Sequence, residues 1–512
     1  MPWQKRAPHW SARVGLALLL CGCPQDPNGA QPHRLAWRKT QLASAHIPFA
    51  ARARGLLPLR GIIHLHSVYS HDACDGKPLF QGKPNQACLR SLRRGLCDTR
   101  QDFAMLTDHS THMAETDWDK LFSLDRTLGD EALVENGKQT GGLWRCPADA
   151  SGTHRVVLTV GGENDLMPVG LHEHLGETAA ARAAAMKANH ADAVRAFHRA
   201  SGLVLKAHGE SAKLASLCSL AAAGLDGMEV YNLHANLDPD IRAEHLGLDG
   251  LGAIVGLAPF IEGRPISDGG PEPDLALVGF LEENQKQQAQ FNALLGAGYR
   301  LFPIFGSDIH ENTFKGNMSD GERGDSYRRL MRFFANYLLV PQKAALRPSD
   351  LTEAISRGRG FSVFEAFGSP KNFDFFAVQP DGTRAEMGDS VQVGSELVVQ
   401  APNPLPEGYE TDEPLATLRV RFVAGGQTEA QTIFEQRLTA GQLAHSPIFR
   451  VSTAGLSPGA YRVEASLVPK HLLHLLGDEK ARYDREYPYL FSGSLFVGKI
   501  DKHGGACQGV PL

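Results

Sequence analysis

The stretch Gly61-Ile62-Ile63-His64-Leu65-His66 decides the fold, and Asp72 follows it closely. A short apolar run of strand length leads directly into two histidines that are separated by one residue. Because residues i and i+2 point to the same side of a strand, the pattern predicts two imidazoles that can reach one cation. A single His-x-His is often incidental, so the interpretation depends on how the other strands end.

Four further apolar runs end in residues that can bind a metal ion. They lead to Asp108 and His109, to Glu163, to His208, and to Asp308 and His310. Parallel strands in α/β sheets and barrels place their active-site residues at the carboxyl ends of the strands. The sequence therefore predicts an α/β fold with a polynuclear metal site at that end.

The candidate ligands are expected to play different parts. Glu163 follows two glycines, and its carboxylate could bridge two cations. His172 and His174 lie close together, and one of them is expected to bind metal, although the sequence does not decide which. Asp108 precedes His109 and is expected to act in catalysis by orienting ligands or water rather than by binding directly.

The chemistry of the ligands limits the choice of metal. Imidazoles and carboxylates without thiolates suit Zn²⁺, Mn²⁺ or Fe²⁺. Two such cations about 3.5–4 Å apart activate water and stabilise the charge that develops on a substrate oxygen. We expect two or three divalent cations. The sequence contains no phosphate-binding loop, so a nucleotide-triphosphate switch is not supported.

The N-terminus is typical of a targeting segment. A basic region precedes the apolar run from Val14 to Leu20, which is too short to span a bilayer. Leu20-Cys21-Gly22-Cys23 resembles a bacterial lipoprotein cleavage box, in which Cys23 is lipidated. We expect a protein held on the periplasmic side of the cell envelope, at the outer membrane, by this anchor alone. An ordinary secretory signal is the alternative.

The length of 512 residues and the distribution of apolar residues predict more than one domain in this chain. We expect a signal peptide over 1–23, a tether over 24–57, alternating strands and helices over 58–365, an antiparallel β-sandwich over 366–500 and a tail over 501–512. Single helices are predicted from Ala179 to Ala200, with Thr178 as cap, and from Asp325 to Leu338. A net charge of -5 argues against a non-specific nucleic-acid binder.

The cysteines that follow Cys23 are expected to pair in an oxidising compartment. A bridge between Cys74 and Cys88 would close a loop of about 15 residues and hold the segment that carries Asp72. The sequence alone does not determine the pairing.

Taken together, these motifs resemble the polymerase and histidinol phosphatase (PHP) superfamily of metal-dependent hydrolases. The resemblance covers approximately 58–365. It rests on the runs His64–Ala73, Thr107–His109, Ala207–Gly209 and Gly306–His310, and on Glu163. The sequence departs from the family pattern in two places. A cysteine-bearing insertion follows the first run, and Gly209 stands where the family usually has proline.

The resemblance implies a distorted seven-stranded (β/α) barrel of the TIM-like PHP type with a two- or three-metal site. A metal-bound hydroxide would be the nucleophile, and phosphate esters would be the commonest substrates. The implied ligands are His64, His66, Asp72, His109, Glu163, His172 or His174, His208, Asp308 and His310. The sandwich resembles that of the carbaryl-hydrolase-like branch, which includes carboxylic and carbamate ester hydrolases.

We therefore expect a metal-dependent hydrolase that acts on a small-molecule phosphoester and needs no nucleic-acid partner. One alternative keeps the same site but changes the substrate to a carboxylic or carbamate ester. A second alternative is a non-catalytic lipoprotein whose metal is structural and whose sandwich binds a polymer or a partner.

Overall fold

The computed structural model describes residues 37–148, 153–261, 263–343 and 345–498. The predicted signal peptide, the lipidated Cys23 and the C-terminal tail lie outside the described residues. Within the described ranges, every helix is too short or too polar to cross a membrane.

The first part of the chain carries thirteen of the described strands. They are β1 (Leu56–Leu65), β2 (Leu79–Phe80), β3 (Lys83–Pro84), β4 (Phe103–Leu106), β5 (Glu131–Glu135), β6 (Lys138–Arg145), β7 (Arg155–Val160), β8 (Leu166–Val169), β9 (Leu203–Lys206), β10 (Gly227–Asn232), β11 (Phe302–Gly306), β12 (Ala335–Pro341) and β13 (Gly360–Val363). The later strands are β14 (Asp374–Val378), β15 (Arg384–Glu386), β16 (Ser390–Val391), β17 (Glu396–Gln400), β18 (Pro414–Val423), β19 (Gln431–Thr439), β20 (Ile448–Ser452), β21 (Gly459–Leu467), β22 (Tyr487–Ser492) and β23 (Leu495–Val497).

The helices lie mainly between the strands of the first part. They are α1 (Ala73–Gly76), α2 (Gln86–Asp98), α3 (Ser110–Glu115), α4 (Ala179–Lys187), α5 (Ala191–Arg199), α6 (Leu214–Ala223), α7 (Leu233–Leu237), α8 (Pro239–Ile241), α9 (Gly252–Val255), α10 (Ala258–Ile261), α11 (Gln285–Gly296), α12 (Tyr327–Leu330), α13 (Pro348–Ser356), α14 (Ala440–Ala444) and α15 (Lys480–Tyr483).

Two sets of parallel strands form the α/β part. β1, β4 and β7 are neighbours in one sheet, and β9, β10 and β11 are neighbours in another, with β8 antiparallel to β9. The sets meet where His66 donates its backbone N–H to Ile309 and Asp308 donates to His64, both at 3.1 Å. The α/β class is confirmed. The pairing differs from a regular seven-stranded barrel, because individual hydrogen bonds rather than a ladder join the two sheets here.

One apolar cluster draws on both sheets and lies beneath the ligand-bearing ends of the strands. Ile63, Met105, Val157, Leu205 and Ile304 come from five different strands and are all buried in it. Full burial of such a side chain contributes roughly 1.5–3 kcal/mol. The cluster thus fixes the positions of the strands whose next residues are the candidate ligands.

The C-terminal strands are largely antiparallel, as the sequence predicts. β14, β15, β17 and β20 form one antiparallel sheet, while β18 pairs with β19 and β21. However, β13 pairs with β22, where Phe361 lies opposite Ser492. The large sheet therefore runs across the predicted boundary at 366, and the described residues form one compact unit rather than a barrel followed by a separate sandwich.

The predicted tether differs from the structure over 37–57. Short 3₁₀ helices cover Ser44–His46 and Ala50–Arg54, and Ile47 and Phe49 are buried. The ring of Phe49 lies 5.5 Å from that of Tyr337 on β12. This segment is part of the core because its apolar side chains cover β12.

Two predicted helices also differ. The helix over 179–200 is broken into α4 and α5, because His190 is extended and its side chain accepts the N–H of Ala193 to begin a second helix. Thr178 caps α4, as predicted. The helix predicted over 325–338 is instead the short α12 followed by β12, which pairs antiparallel with β1. Apolar runs that are buried on both faces carry no usable period, which explains the error.

Candidate metal centre

The end of β1 is irregular at the first candidate ligand. His64 has a φ of 69°, and the register between β1 and β4 shifts between Ile63 and Leu65. The Thr107 hydroxyl accepts the N–H of Leu65 at 3.0 Å and stabilises the shift. Simple strand alternation therefore does not explain how the two imidazoles converge. The rings of His64 and His66 nevertheless lie 5.3 Å apart.

Eight of the ten predicted ligands come together in three overlapping groups. In each group the potential ligand atoms lie within 4.8 Å of one another. The groups are His66, Asp72, His109 and His310; His64, His66 and Asp308; and His64, Glu163 and His208. Since His64 and His66 are each shared between two groups, the arrangement is that of one polynuclear cluster.

Three histidines present one nitrogen each to the cluster and use the other elsewhere. Nδ1 of His64 lies 2.6 Å from a Glu229 carboxylate oxygen, that of His66 lies 3.1 Å from the Ser70 hydroxyl, and that of His310 lies 2.8 Å from the Asp308 carbonyl. In all three, Nε2 is buried without a hydrogen-bond partner. Hydrogen bonding at Nδ1 sets the tautomer that leaves Nε2 free to bind a metal. The residues therefore fit divalent cations.

Asp308 lies at the centre of the cluster. Its φ of 50° is left-handed, a conformation that aspartate tolerates better than most residues. Its Oδ1 lies 3.3 Å from Nε2 of His64 and 3.2 Å from Nε2 of His66. Burial raises the pKa of Asp308, but the imidazoles of His64 and His310 outweigh burial and hold the pKa well below its usual range. The carboxylate is therefore ionised and available to cations.

Glu163 spans two of the groups. One of its carboxylate oxygens lies 2.8 Å from Nδ1 of His109, and the other lies 3.5 Å from Nε2 of His208. The preceding Gly161 is required at this position, because a Cβ there would lie 2.0 Å from the Pro168 carbonyl oxygen. This close approach brings the chain to the edge of β8 and places the carboxylate where it could bridge cations.

Sequence reasoning missed Glu229, which orients two ligands. It is fully buried on β10, and its carboxylate accepts Nδ1–H of His64 at 2.6 Å and the backbone N–H of His208 at 3.0 Å. Gly306 leaves room for it, since a Cβ there would lie 1.7 Å from a Glu229 oxygen. A lone carboxylate in the apolar stretch around Glu229 was the available signal, because a buried charge needs partners.

Asp108 is a positioning residue in this structure. Its carboxylate accepts the backbone N–H of Ser67 at 2.5 Å and the Ser67 hydroxyl at 2.7 Å. Burial raises the pKa of Asp108 to about 6. It belongs to none of the ligand groups and holds the loop after β1, an arrangement compatible with the predicted orienting role.

The structure does not bring His172 or His174 to the cluster, contrary to the sequence prediction. Nε2 of His174 lies 2.8 Å from the Thr116 carbonyl oxygen, and its ring packs edge-on against Trp118. The backbone N–H of His172 donates to Ala200. These contacts hold the turn after β8 away from the ligand groups.

A second residue that sequence reasoning missed is His234. It follows the end of β10 on α7, and its Nδ1 lies 3.0 Å from Oδ2 of Asp308. Its side chain is 52% exposed, more than that of any residue in the three groups. The available signal was the same as elsewhere: an apolar strand that leads into Asn232-Leu233-His234.

A disulfide between Cys74 and Cys88 anchors the segment that carries Asp72. The backbone N–H of Cys74 donates to His310 and that of Asp75 donates to Glu311, both at 3.0 Å. We expect replacement of both cysteines with serine to lower the free energy of unfolding by about 3 kcal/mol. We also expect metal affinity to fall by about 10-fold or more, the scale seen when support of a ligand is lost. Metal titration of the purified variant measures this.

The second disulfide, between Cys97 and Cys146, provides the matched control. It joins α2 to the residue after β6, and neither cysteine is near a ligand in sequence. Its removal is expected to lower the unfolding free energy by about 4 kcal/mol and to leave metal affinity unchanged. Equal loss of affinity in both variants would contradict a specific role for the Cys74–Cys88 bridge.

Comparisons with known proteins give distant similarities. No family model and no curated protein matches the chain. A solved two-domain protein from Bacteroides vulgatus ATCC 8482, described as containing a predicted PHP-like metal-dependent phosphoesterase, is 14% identical with a TM-score of 0.32, over 90% of this chain and 99% of that one. Cel61B from Hypocrea jecorina, a glycoside hydrolase family 61 member, is 17% identical with a TM-score of 0.15, over 26% of this chain and 68% of that one. At such TM-scores, neither similarity supports a conclusion about the fold or the chemistry of this chain.

Proposed function

We propose that this protein is a metal-dependent hydrolase that cleaves phosphoesters of small molecules at a di- or trinuclear site. The observation that carries the proposal is the buried set of imidazole Nε2 atoms of His64, His66 and His310, which lack hydrogen-bond partners. Each faces a carboxylate of Asp308 or Asp72 at 3.2–3.3 Å. Unsatisfied buried nitrogens are costly, and a bound cation would satisfy them.

The residues of the three groups would hold two or three divalent cations. Such cations would make water a stronger acid at neutral pH, and they would neutralise the charge that develops on a phosphoester oxygen. Imidazole and carboxylate ligands suit Zn²⁺, Mn²⁺ and Fe²⁺.

The chain itself supplies orientation and access. Glu229, Ser70 and the Asp308 carbonyl fix the rings of three histidines, so the ligands are held before the cations arrive. Asp72 and His109 are the more open members of their group, with side chains 31% and 26% exposed. The substrate could approach from their side, because His66 and His310, the other two residues of that group, are buried.

The test measures metal content and turnover in the same sample. Bound metals are quantified by mass spectrometry, and hydrolysis is followed with p-nitrophenyl phosphate, bis-(p-nitrophenyl) phosphate and p-nitrophenyl acetate. We expect two or more cations per chain and hydrolysis of a phosphate ester that disappears with a chelator and returns with metal.

Each alternative outcome has a distinct meaning. Metal-dependent hydrolysis of the acetate ester alone would replace the phosphoester with a carboxylic ester as the substrate class. Full metal occupancy without turnover of any ester would overturn the enzyme proposal in favour of a binding protein. The His64→Ala, His66→Ala double variant should lose both metal and turnover, and unchanged metal content in it would contradict the site.

A further inference from the structure

We propose that His234 is an additional metal ligand, whose Nδ1 binds the divalent cation that His208 and Asp308 hold at the outer edge of the cluster. The inference rests on the proposed metal site and adds a residue that none of the sequence motifs includes. It assigns the most exposed ligand position to a histidine on α7.

The first support is convergence on one oxygen atom. Nδ1 of His234 lies 3.0 Å from Oδ2 of Asp308, and Nε2 of His208 lies 3.4 Å from that same oxygen. The two rings are 6.2 Å apart and perpendicular. Metal–nitrogen and metal–oxygen bonds of about 2.0–2.2 Å place ligands of one cation at separations of this size. Two imidazoles and one carboxylate oxygen therefore surround a single position.

The second support is the rigid placement of α7. Asn232 accepts the N–H of Ala235 and donates to Glu229, the same carboxylate that orients His64. Asn236 donates to the Asn232 carbonyl and to the side chain of Asn284. All four of these residues on β10 and α7 are fully buried, so the backbone that carries His234 is fixed relative to the cluster.

The third support is the number of ligands. The group of His64, Glu163 and His208 offers three side chains to a cation. Asp308 and His234 extend this set, and His234 lies on its solvent side, since the His234 side chain is 52% exposed whereas that of Asp308 is buried. Borderline cations accept four or more imidazole and carboxylate ligands, so the larger set is chemically suitable.

The test uses cobalt as the probe, because tetrahedral and five-coordinate Co²⁺ absorb visible light according to their ligands. The full chain, stripped of metal with a chelator, is titrated with Co²⁺, and bound cobalt is counted by mass spectrometry. We compare the wild type, His234→Ala and His174→Ala. His174 is the matched control, since it is a half-buried histidine that the sequence had assigned to the site and the structure places elsewhere.

We expect His234→Ala to lose one cobalt ion, or to bind it about 10-fold or more weakly, with a changed spectrum. Because the vacated position is open to solvent, added imidazole should restore the spectrum. His174→Ala should titrate like the wild type. A His234→Ala variant with unchanged count, affinity and spectrum would overturn this inference and leave the proposed function standing. Absence of cobalt binding by the wild type would overturn both.

Discussion

Replacement of Asp308 with asparagine is expected to abolish hydrolysis, with a loss of at least about 100-fold, beyond what removal of a residue behind a ligand causes. The carboxylate lies within 3.4 Å of nitrogens from His64, His66 and His208, so all three would lose their shared anion. Asparagine tolerates the left-handed backbone at this position, and the fold should persist. Metal content by mass spectrometry and turnover in the same preparation measure the effect.

A surface aspartate provides the control for this change. Asp381 lies in an exposed turn, where its carboxylate accepts the N–H and the hydroxyl of Thr383. Asp381→Asn removes the same charge and should leave metal content and turnover unchanged. Wild-type metal content in Asp308→Asn would show that Asp308 does not bind the cations.

Replacement of Asp274 with alanine is expected to lower the free energy of unfolding by about 3–5 kcal/mol, the usual effect of removing one partner from a buried ion pair. Asp274 accepts hydrogen bonds from Arg328 at 2.6 and 2.8 Å and from Arg329 at 2.5 Å, and all three side chains are buried. Burial raises the pKa of Asp274, but the two guanidinium groups outweigh burial and lower it to about 2. The variant would leave both arginines deprived of this anion.

Denaturant unfolding of Asp274→Ala and of Glu131→Ala measures the difference. Glu131 pairs with Arg145 on the surface, where both side chains are 40% or more exposed. Exposed pairs contribute about 0–1 kcal/mol, so this variant should unfold close to the wild type. Similar midpoints for both variants would mean that the buried network around Asp274 adds little stability.

The sequence predicts the ligands that lie at or soon after the end of a strand, because a polar residue after a buried apolar run is a local signal. His64 lies at the end of β1, and His109, Glu163, His208 and Asp308 each lie two or three residues beyond a strand. The structure adds that the pair at the end of β1 converges through a register shift rather than through regular alternation, a feature of backbone conformation that residue types do not reveal.

The residues that sequence reasoning missed or misplaced depend on tertiary contacts. Glu229 is buried within β10 and acts through His64, a partner 165 positions away. His234 lies only two residues beyond the strand, yet its link to Asp308 exists only when β10 and β11 are neighbours. His172 and His174 were candidates because two histidines lie close together in the sequence, but the turn that carries them makes other hydrogen bonds.

The C-terminal strands could be predicted from the sequence, but the pairing between distant strands could not. Alternation over 417–423 and 458–465 predicts strands that the structure contains as parts of β18 and β21. No local pattern indicates that β22 would pair with β13, since the choice of neighbour is made by packing between distant segments.

The pairing of β13 with β22 limits how this protein can be shortened or recombined with other proteins. A chain cut near 366 would leave β13 with unpaired backbone groups along the side that β22 normally covers. An exposed strand of this kind is a template for association with other chains. The parts before and after 366 are therefore not interchangeable modules, and a shortened version would need a new covering for β13 to avoid association through that strand.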